Sequence, residues 1–227
     1  MRLRPGVAVA ALLVVAVTGC AGFEEETPLS VLAAAEKDMG ELDSVRLRTE
    51  EYDEGVKETR DLVVTRDGEC EGTVTTDGAS LQVIRTGGHT WVRADEGYWP
   101  QIFGGPPISN VADKWVLLGT SELLDRLCDL DAPYRAFVGN PRDLDLENLG
   151  PAQLAGVEVV RVRGESDAGV TVTVAVSVDE PHHVLEMELS GADRGHAELY
   201  DFDGVVRIRP PDPAHVVRVE DLATTRR

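Results

Sequence analysis

The chain has 227 residues, with 22 Lys plus Arg against 41 Asp plus Glu, 42% hydrophobic and 5% aromatic residues, which is enough apolar material for the core of one domain. A formal charge of −19, with no Lys/Arg-rich segment to offset it, repels phosphate backbones and excludes nucleic-acid binding as a function class.

Arg2 and Arg4 precede an apolar run of about 12 residues, Gly6 to Val17, followed by Thr18, Gly19 and Cys20. A positive start, a short apolar stretch and small residues before a cysteine read as a lipoprotein signal peptide over residues 1–19, after which the Cys20 thiol carries the lipid. Val17-Thr18 departs from the preferred Leu-Ala of that cleavage pattern. The run is too short to be a permanent span, which needs about 20 residues. Because two acyl chains anchor a protein stably where one does not, the chain is expected outside the cytoplasm, held at the outer face of the cell membrane through Cys20.

With Cys20 acylated, Cys70 and Cys128 remain, an even number in an exported protein. They are expected to form a disulfide, closing a loop of about 60 residues worth roughly 4 kcal/mol in the chain-entropy model. No CxxC spacing points to a redox or zinc role for them.

Residues 20–27 comprise the lipidated cysteine and an acidic, aperiodic tether of at most about 25 Å, and residues 28–227 a single domain. Thr27 as N-cap and Pro28 open a helix with Leu29, Leu32, Ala33, Glu36 and Met39 on one stripe and Gly40 near its end. From Val45 the period becomes two: Val45, Leu47 and Thr49; Leu62 and Val64; Leu81 and Val83; then Trp91-Val92, with turns at Asp67-Gly68 and Asp77-Gly78. Pro100, Gly104, Gly105, Pro106 and Pro107 mark a loop, and residues 100–113 are the candidate lid. Leu123, Leu124 and Leu127 have helical spacing in the segment ending at Cys128, so a Cys70–Cys128 bridge would staple a helix to the sheet. A second, irregular helical region is expected over about 132–150, ending at Gly150-Pro151.

The remainder reads as strand. Residues 157–163 lead to 170–178, where Val172, Val174 and Val176 share one face and Thr171, Thr173, Ala175 and Ser177 the other. After a turn at Glu180-Pro181-His182-His183, Leu185, Met187 and Leu189 alternate with Glu186, Glu188 and Ser190. Two further strands are expected at about 196–201 and 205–209, around Asp203-Gly204.

The sequence of a lipoprotein cleavage site, one amphipathic helix, meandering strands, central helices and more strands resembles the actinobacterial LppX/LprA/LprF/LprG lipoproteins and, more distantly, the LolA/LolB-like fold. The resemblance covers most of residues 28–220 and is carried by the Leu29–Ser44 helix with Val45-Arg-Leu-Arg, the Gly156-Val157-Glu-Val strand, Val172–Val178 turning back into Leu185–Leu189, and Leu199-Tyr-Asp-Phe-Asp-Gly-Val-Val-Arg-Ile. The cysteine pair and Lys114-Trp115 look like the streptomycete-type members. The resemblance implies an α+β fold: a strongly curved antiparallel half-barrel with a few helices over its concave face, enclosing an apolar cavity for the acyl chains of a lipid or lipoglycan. Val172, Val174, Val176, Leu185, Met187 and Leu189 are the candidate cavity-lining residues, each weighed against a place in the plain core.

The chain contains no Gly-x-Ser-x-Gly, Ser-x-x-Lys, His-Glu-x-x-His or phosphate-binding glycine loop, so no enzyme activity and no cofactor are expected. His182, His183, His196 and His215 read as solvated rather than as metal ligands, and Asp143-x-Asp145-x-Glu147 lacks the Gly and the final Glu of a calcium loop. Trp91, Trp99 and Trp115 read as core or sheet-capping residues in preference to a binding rim. The expected function is that of an envelope lipoprotein carrying or chaperoning a lipid or lipidated glycan. The alternative is a non-enzymatic scaffold or sensor that binds an envelope protein partner through its acidic surface.

Overall fold

The computed structural model describes residues 22–100, 111, 113–119, 122–191, 194–219 and 221. The expected signal peptide, Cys20 and residues 101–110 and 112 of the expected lid lie outside them. A 3-10 turn at Phe23–Glu25 precedes helix α1, Pro28–Gly40. Thr27 caps α1 by accepting a hydrogen bond from the Ser30 N–H at 3.2 Å, and Pro28 occupies a first-turn position where its missing N–H costs nothing.

The buried stripe of α1 is Val31, Leu32, Ala35 and Met39, packed on the strands that follow Asp145. The expected stripe is therefore rotated: Leu29, Ala33 and Glu36 face out, because the sheet lies against the neighbouring side of the helix.

Among the described residues, twelve strands form one open, curved sheet. The first half contains β1 (Ser44–Asp53), β2 (Val56–Thr65), β3 (Cys70–Thr76), β4 (Ala79–Thr86), β5 (His89–Ala94) and β6 (Trp115–Leu118). The second contains β7 (Asp145–Leu154), β8 (Val157–Glu165), β9 (Thr171–Ser177), β10 (Val184–Ser190) and β11 (Arg194–Tyr200), with β12 (Val216–Arg218) returning to the first half. The spatial order is β12-β6-β5-β4-β3-β2-β1-β11-β10-β9-β8-β7, antiparallel throughout except for the parallel pair β12–β6. This is an α+β half-barrel whose concave face carries the core and the helices.

Strand periodicity explains the core directly: Val45 and Leu47, Leu62 and Val64, Leu81 and Val83, and Val172, Val174 and Val176 alternate inward and are all buried. Gly72 permits the β2–β3 approach, because a Cβ there would lie 2.1 Å from the Asp61 carbonyl oxygen. The register also defines two ends of the half-barrel. At the Ser44 end β1 begins opposite Thr65 and Val64 faces Cys70, whereas at the Val56 end Asp53 pairs with Val56 and Thr76 with Ala79.

Two further sequence expectations are corrected. Residues 145–150 are not helical but begin the edge strand β7, whose register shifts at Asn148/Gly150; Pro151 is tolerated there because an edge strand has a free side that needs no N–H. Residues 205–209 join no ladder. Asp203 turns the chain by donating its N–H to the Ser44 carbonyl at 2.9 Å and accepting the Asp43 N–H at 2.7 Å. The chain then crosses the convex face, where Arg209–Asp212 lie beside Ile84, Arg93 and Trp115, and ends in β12. The short strands β6 and β12 have no local turn signal and were not legible in the sequence.

Candidate functional site

Helices α2 (Glu122–Leu127) and α3 (Ala132–Val138) lie over the concave face of β1–β4 and are fastened mainly at the Ser44 end. The expected disulfide is present: Cys128, at the end of α2, is bonded to Cys70 at the start of β3, and both are buried. Arg66, in the β2–β3 turn, pairs with Asp131 at 2.9 Å while donating to the Met39 and Leu42 carbonyls at 2.7 and 3.0 Å. Arg85 on β4 reaches Asp125 of α2 at 2.6 Å. Farther along, Phe137 of α3 lies over Gly195 of β11, where a Cβ would come within 3.3 Å of the ring.

Between these helices and the sheet lies a cavity of about 360 Å³. Its floor and roof are apolar: Leu47, Leu62, Val74 and Leu81 from the strands, Leu124 and Leu127 from α2. Among the described residues, charge enters at one end only of the sheet wall. Glu51, Glu58 and Arg60 continue the inward-facing parity of Leu47 and Leu62 toward the Val56 end, where Arg60 pairs with Glu51 at 3.0 Å and Glu58 at 2.6 Å. Thr76 donates to Glu58 at 3.0 Å and lies 3.4 Å from the Tyr98 hydroxyl, and burial pushes the Tyr98 phenol pKa above its ordinary value. From the helices, Arg126, Asp129 and Arg135 also line the cavity, Asp129 immediately after the disulfide-bonded Cys128.

The arrangement can bury an apolar tail beneath a charged rim. Its wall contains no histidine, serine or cysteine among the described residues, so it offers none of those nucleophiles or bases to a ligand. Among the described residues no group of three His, Cys, Asp or Glu is placed to hold a metal ion. Tyr134 of α3 is partly buried; burial, with a smaller contribution from Glu36, pushes its pKa up to about 12.

No family model and no curated protein matches the chain. Solved structures do. The lipoprotein LppX of Mycobacterium tuberculosis is 15% identical over 80% of this chain and 98% of its own, with a TM-score of 0.56. LprF from Mycobacterium bovis is 16% identical over 82% and 96%, with the same TM-score of 0.56. This chain has the fold of LppX and LprF.

The candidate lining residues occupy a different part of the concave face. Val172, Val174, Val176 and Met187 are buried in the core, with Met187 opposite Val174 in the ladder and Leu189, opposite Val172, packed against it. Leu185 sits at the Val184/Glu186 irregularity, which breaks its expected alternation with Met187. None of the six lines the 360 Å³ cavity. They belong to the half of the sheet that α1 and α3 cover. The sequence signal for the cavity was available in Glu51, Glu58 and Arg60, charged residues at inward positions of otherwise regular strands.

Trp91 and Trp99 are buried, and Trp115 lies on the convex face with the Arg93 guanidinium 5.0 Å from its ring centre. None of the three lines the cavity. The paired histidines are packed, not solvated as expected. His182 stacks on Phe23 at 3.7 Å and donates its N–H to Asp38 at 2.7 Å, while His183 stacks on Phe202 at 4.2 Å. Burial lowers the His183 pKa, outweighing the opposing pull of Asp203 and Asp38. Because the folded pKa lies below the unfolded value near 6.5, this group's share of stability is complete above that value and is lost as pH falls toward the folded pKa. Thermal melts between pH 7 and pH 5 are expected to decline less steeply in His183→Phe than in the parent protein; equal slopes would exclude His183 as the titrating group.

Proposed function

We propose that the protein is an exported lipoprotein, anchored through Cys20, that holds an acyl chain of a lipid or lipidated glycan as carrier or chaperone at the outer face of the cell membrane. The observation that carries this reading is the cavity itself: an apolar chamber of about 360 Å³, roofed by helices and edged with charge at the Val56 end. That volume is near the lower end of ordinary ligand pockets, roughly 300–1,000 Å³. At about 30 Å³ per water-sized group, it takes on the order of a dozen methylenes, the bulk of one tail. Burying them contributes roughly 10 kcal/mol before association costs, at about 0.8 kcal/mol each, so retention needs no polar contact to the tail. The fold shared with LppX, a lipoprotein by name, supports the reading without specifying a ligand.

The test is native mass spectrometry and solvent extraction of the full-length gene's product, recovered from a host that exports and lipidates it. A lipid of defined mass in addition to the covalent modification on Cys20 is the expected result. A homogeneous mass that takes up no added lipid would overturn the carrier reading and leave a partner-binding scaffold or sensor.

A further inference from the structure

Residues 23–27, expected as a free spacer, are fastened to the domain. Phe23 stacks on His182 at 3.7 Å with the rings within 3° of parallel, and Asn148 of β7 donates to the carbonyls of Glu24 at 3.1 Å and Glu26 at 2.8 Å. The register locates Phe23 on the half-barrel. Leu189 of β10 pairs with Gly195 of β11, which pairs with Glu51; β10 therefore starts at the Ser44 end, and His182 lies just before that start. His183 stacks there on Phe202, and the neighbouring Asp203 binds the Asp43 and Ser44 N–H groups at 2.7 and 3.4 Å. Asp38, which holds His182, is in the last turn of α1 immediately before β1. Gly22 thus leaves the domain at the Ser44 end.

The charged residues of the cavity's sheet wall are at the other end. Glu51 is seven residues along β1 from Ser44, about 23 Å at 3.3 Å per residue, and Glu58 pairs directly with it. The Ser44 end is closed over the cavity by Cys70–Cys128, Arg66–Asp131 and Arg85–Asp125. From Cys20 to Phe23 the chain spans three residues, at most about 10 Å. The leash is shorter than the distance between the two ends.

We infer that the anchored protein stands on its Ser44 end, with the cavity rim turned away from its own bilayer, so that cargo is exchanged outward through the Val56 end while Phe23–Glu26 remain docked. The inference rests on the lipid anchor proposed above, and it assigns the membrane-facing surface to the β2–β3 and β9–β10 turns and the Asp201–Gly204 turn. Exchange with the anchoring bilayer itself requires residues 23–26 to detach first, which makes this dock the orienting element.

The full-length lipoprotein, purified from a lipidating host and reconstituted into vesicles with a quencher on the lipid headgroups, tests this. A fluorophore is attached through Asp67→Cys, in the β2–β3 turn, or Val56→Cys, at the start of β2; both positions are exposed. The expected result is several-fold stronger quenching at 67 than at 56, with the difference abolished in the Phe23→Ala/Asn148→Ala background. Equal quenching in the docked protein, or stronger quenching at 56, overturns the orientation. Failure of the protein to float with vesicles, with Cys20 unmodified by mass, overturns the anchor and the orientation with it. Absence of a non-covalent lipid would instead count only against the carrier reading.

Discussion

Replacing Cys70 and Cys128 together with Ala is expected to lower the urea unfolding midpoint by about 2 M. The bridge links residues 58 apart in sequence, and a loop of that size restricts the unfolded chain by about 4 kcal/mol; with a slope of about 2 kcal/mol per M this gives the stated shift. Both cysteines are fully buried, so the Ala pair also leaves a small void whose cost adds to the loss. The other two ties at this end contribute less. Arg66–Asp131 and Arg85–Asp125 are partly exposed pairs, each worth at most about 1 kcal/mol. The comparison is made at equilibrium on oxidised parent and double variant, and a shift no larger than that of Asp131→Ala would show that the disulfide is not the main fastening of α2 to the sheet. Because the bridge closes the cavity at the Ser44 end, its loss is also expected to speed release of a bound lipid.

The parts of this architecture that were legible in the sequence are those encoded locally. Alternation of Val45 with Leu47, Leu62 with Val64, and Val172 with Val174 and Val176 specifies strands and their inward faces, and Asp67-Gly68 and Asp77-Gly78 specify the turns between them. Cysteine parity identified the Cys70–Cys128 pair. What failed depends on non-local pairing. β6 and β12 are short and meet only because the chain crosses the convex face after β11, a path that no residue near Trp115 or Val216 announces. The helical region expected over about 132–150 gives way from Asp145 to an edge strand, set by its pairing with β8 and shifted in register at Asn148/Gly150. The six candidate lining residues belong to the most regular apolar alternation in the chain, and regular alternation marks a well-filled core. An opening is marked by interruption: Glu51, Glu58 and Arg60 occupy inward positions where they pair with one another and stay partly exposed.

That distinction yields a prediction of opposite outcomes at two valines. Val74→Trp is expected to abolish lipid retention while leaving the fold intact, because Val74 lines the cavity and the indole has empty space to enter. Each displaced methylene removes about 0.8 kcal/mol, so excluding as few as four weakens binding by about 3 kcal/mol, roughly 200-fold. Val174→Trp introduces the same side chain where none of that space exists: Val174 is 1% exposed and paired with Met187, and overpacking such a site costs about 1–3 kcal/mol or more. The second variant is therefore expected to lose thermal stability, and any protein that remains folded should still carry its lipid. Native mass spectrometry and thermal melting on both proteins give the two readouts independently. Retained lipid in a folded Val74→Trp protein would place the ligand outside the β1–β4 cavity. Lost lipid in a stable Val174→Trp protein would move the site to the half of the sheet beneath α1, where Val172, Val174, Val176 and Met187 would then have to part to admit it.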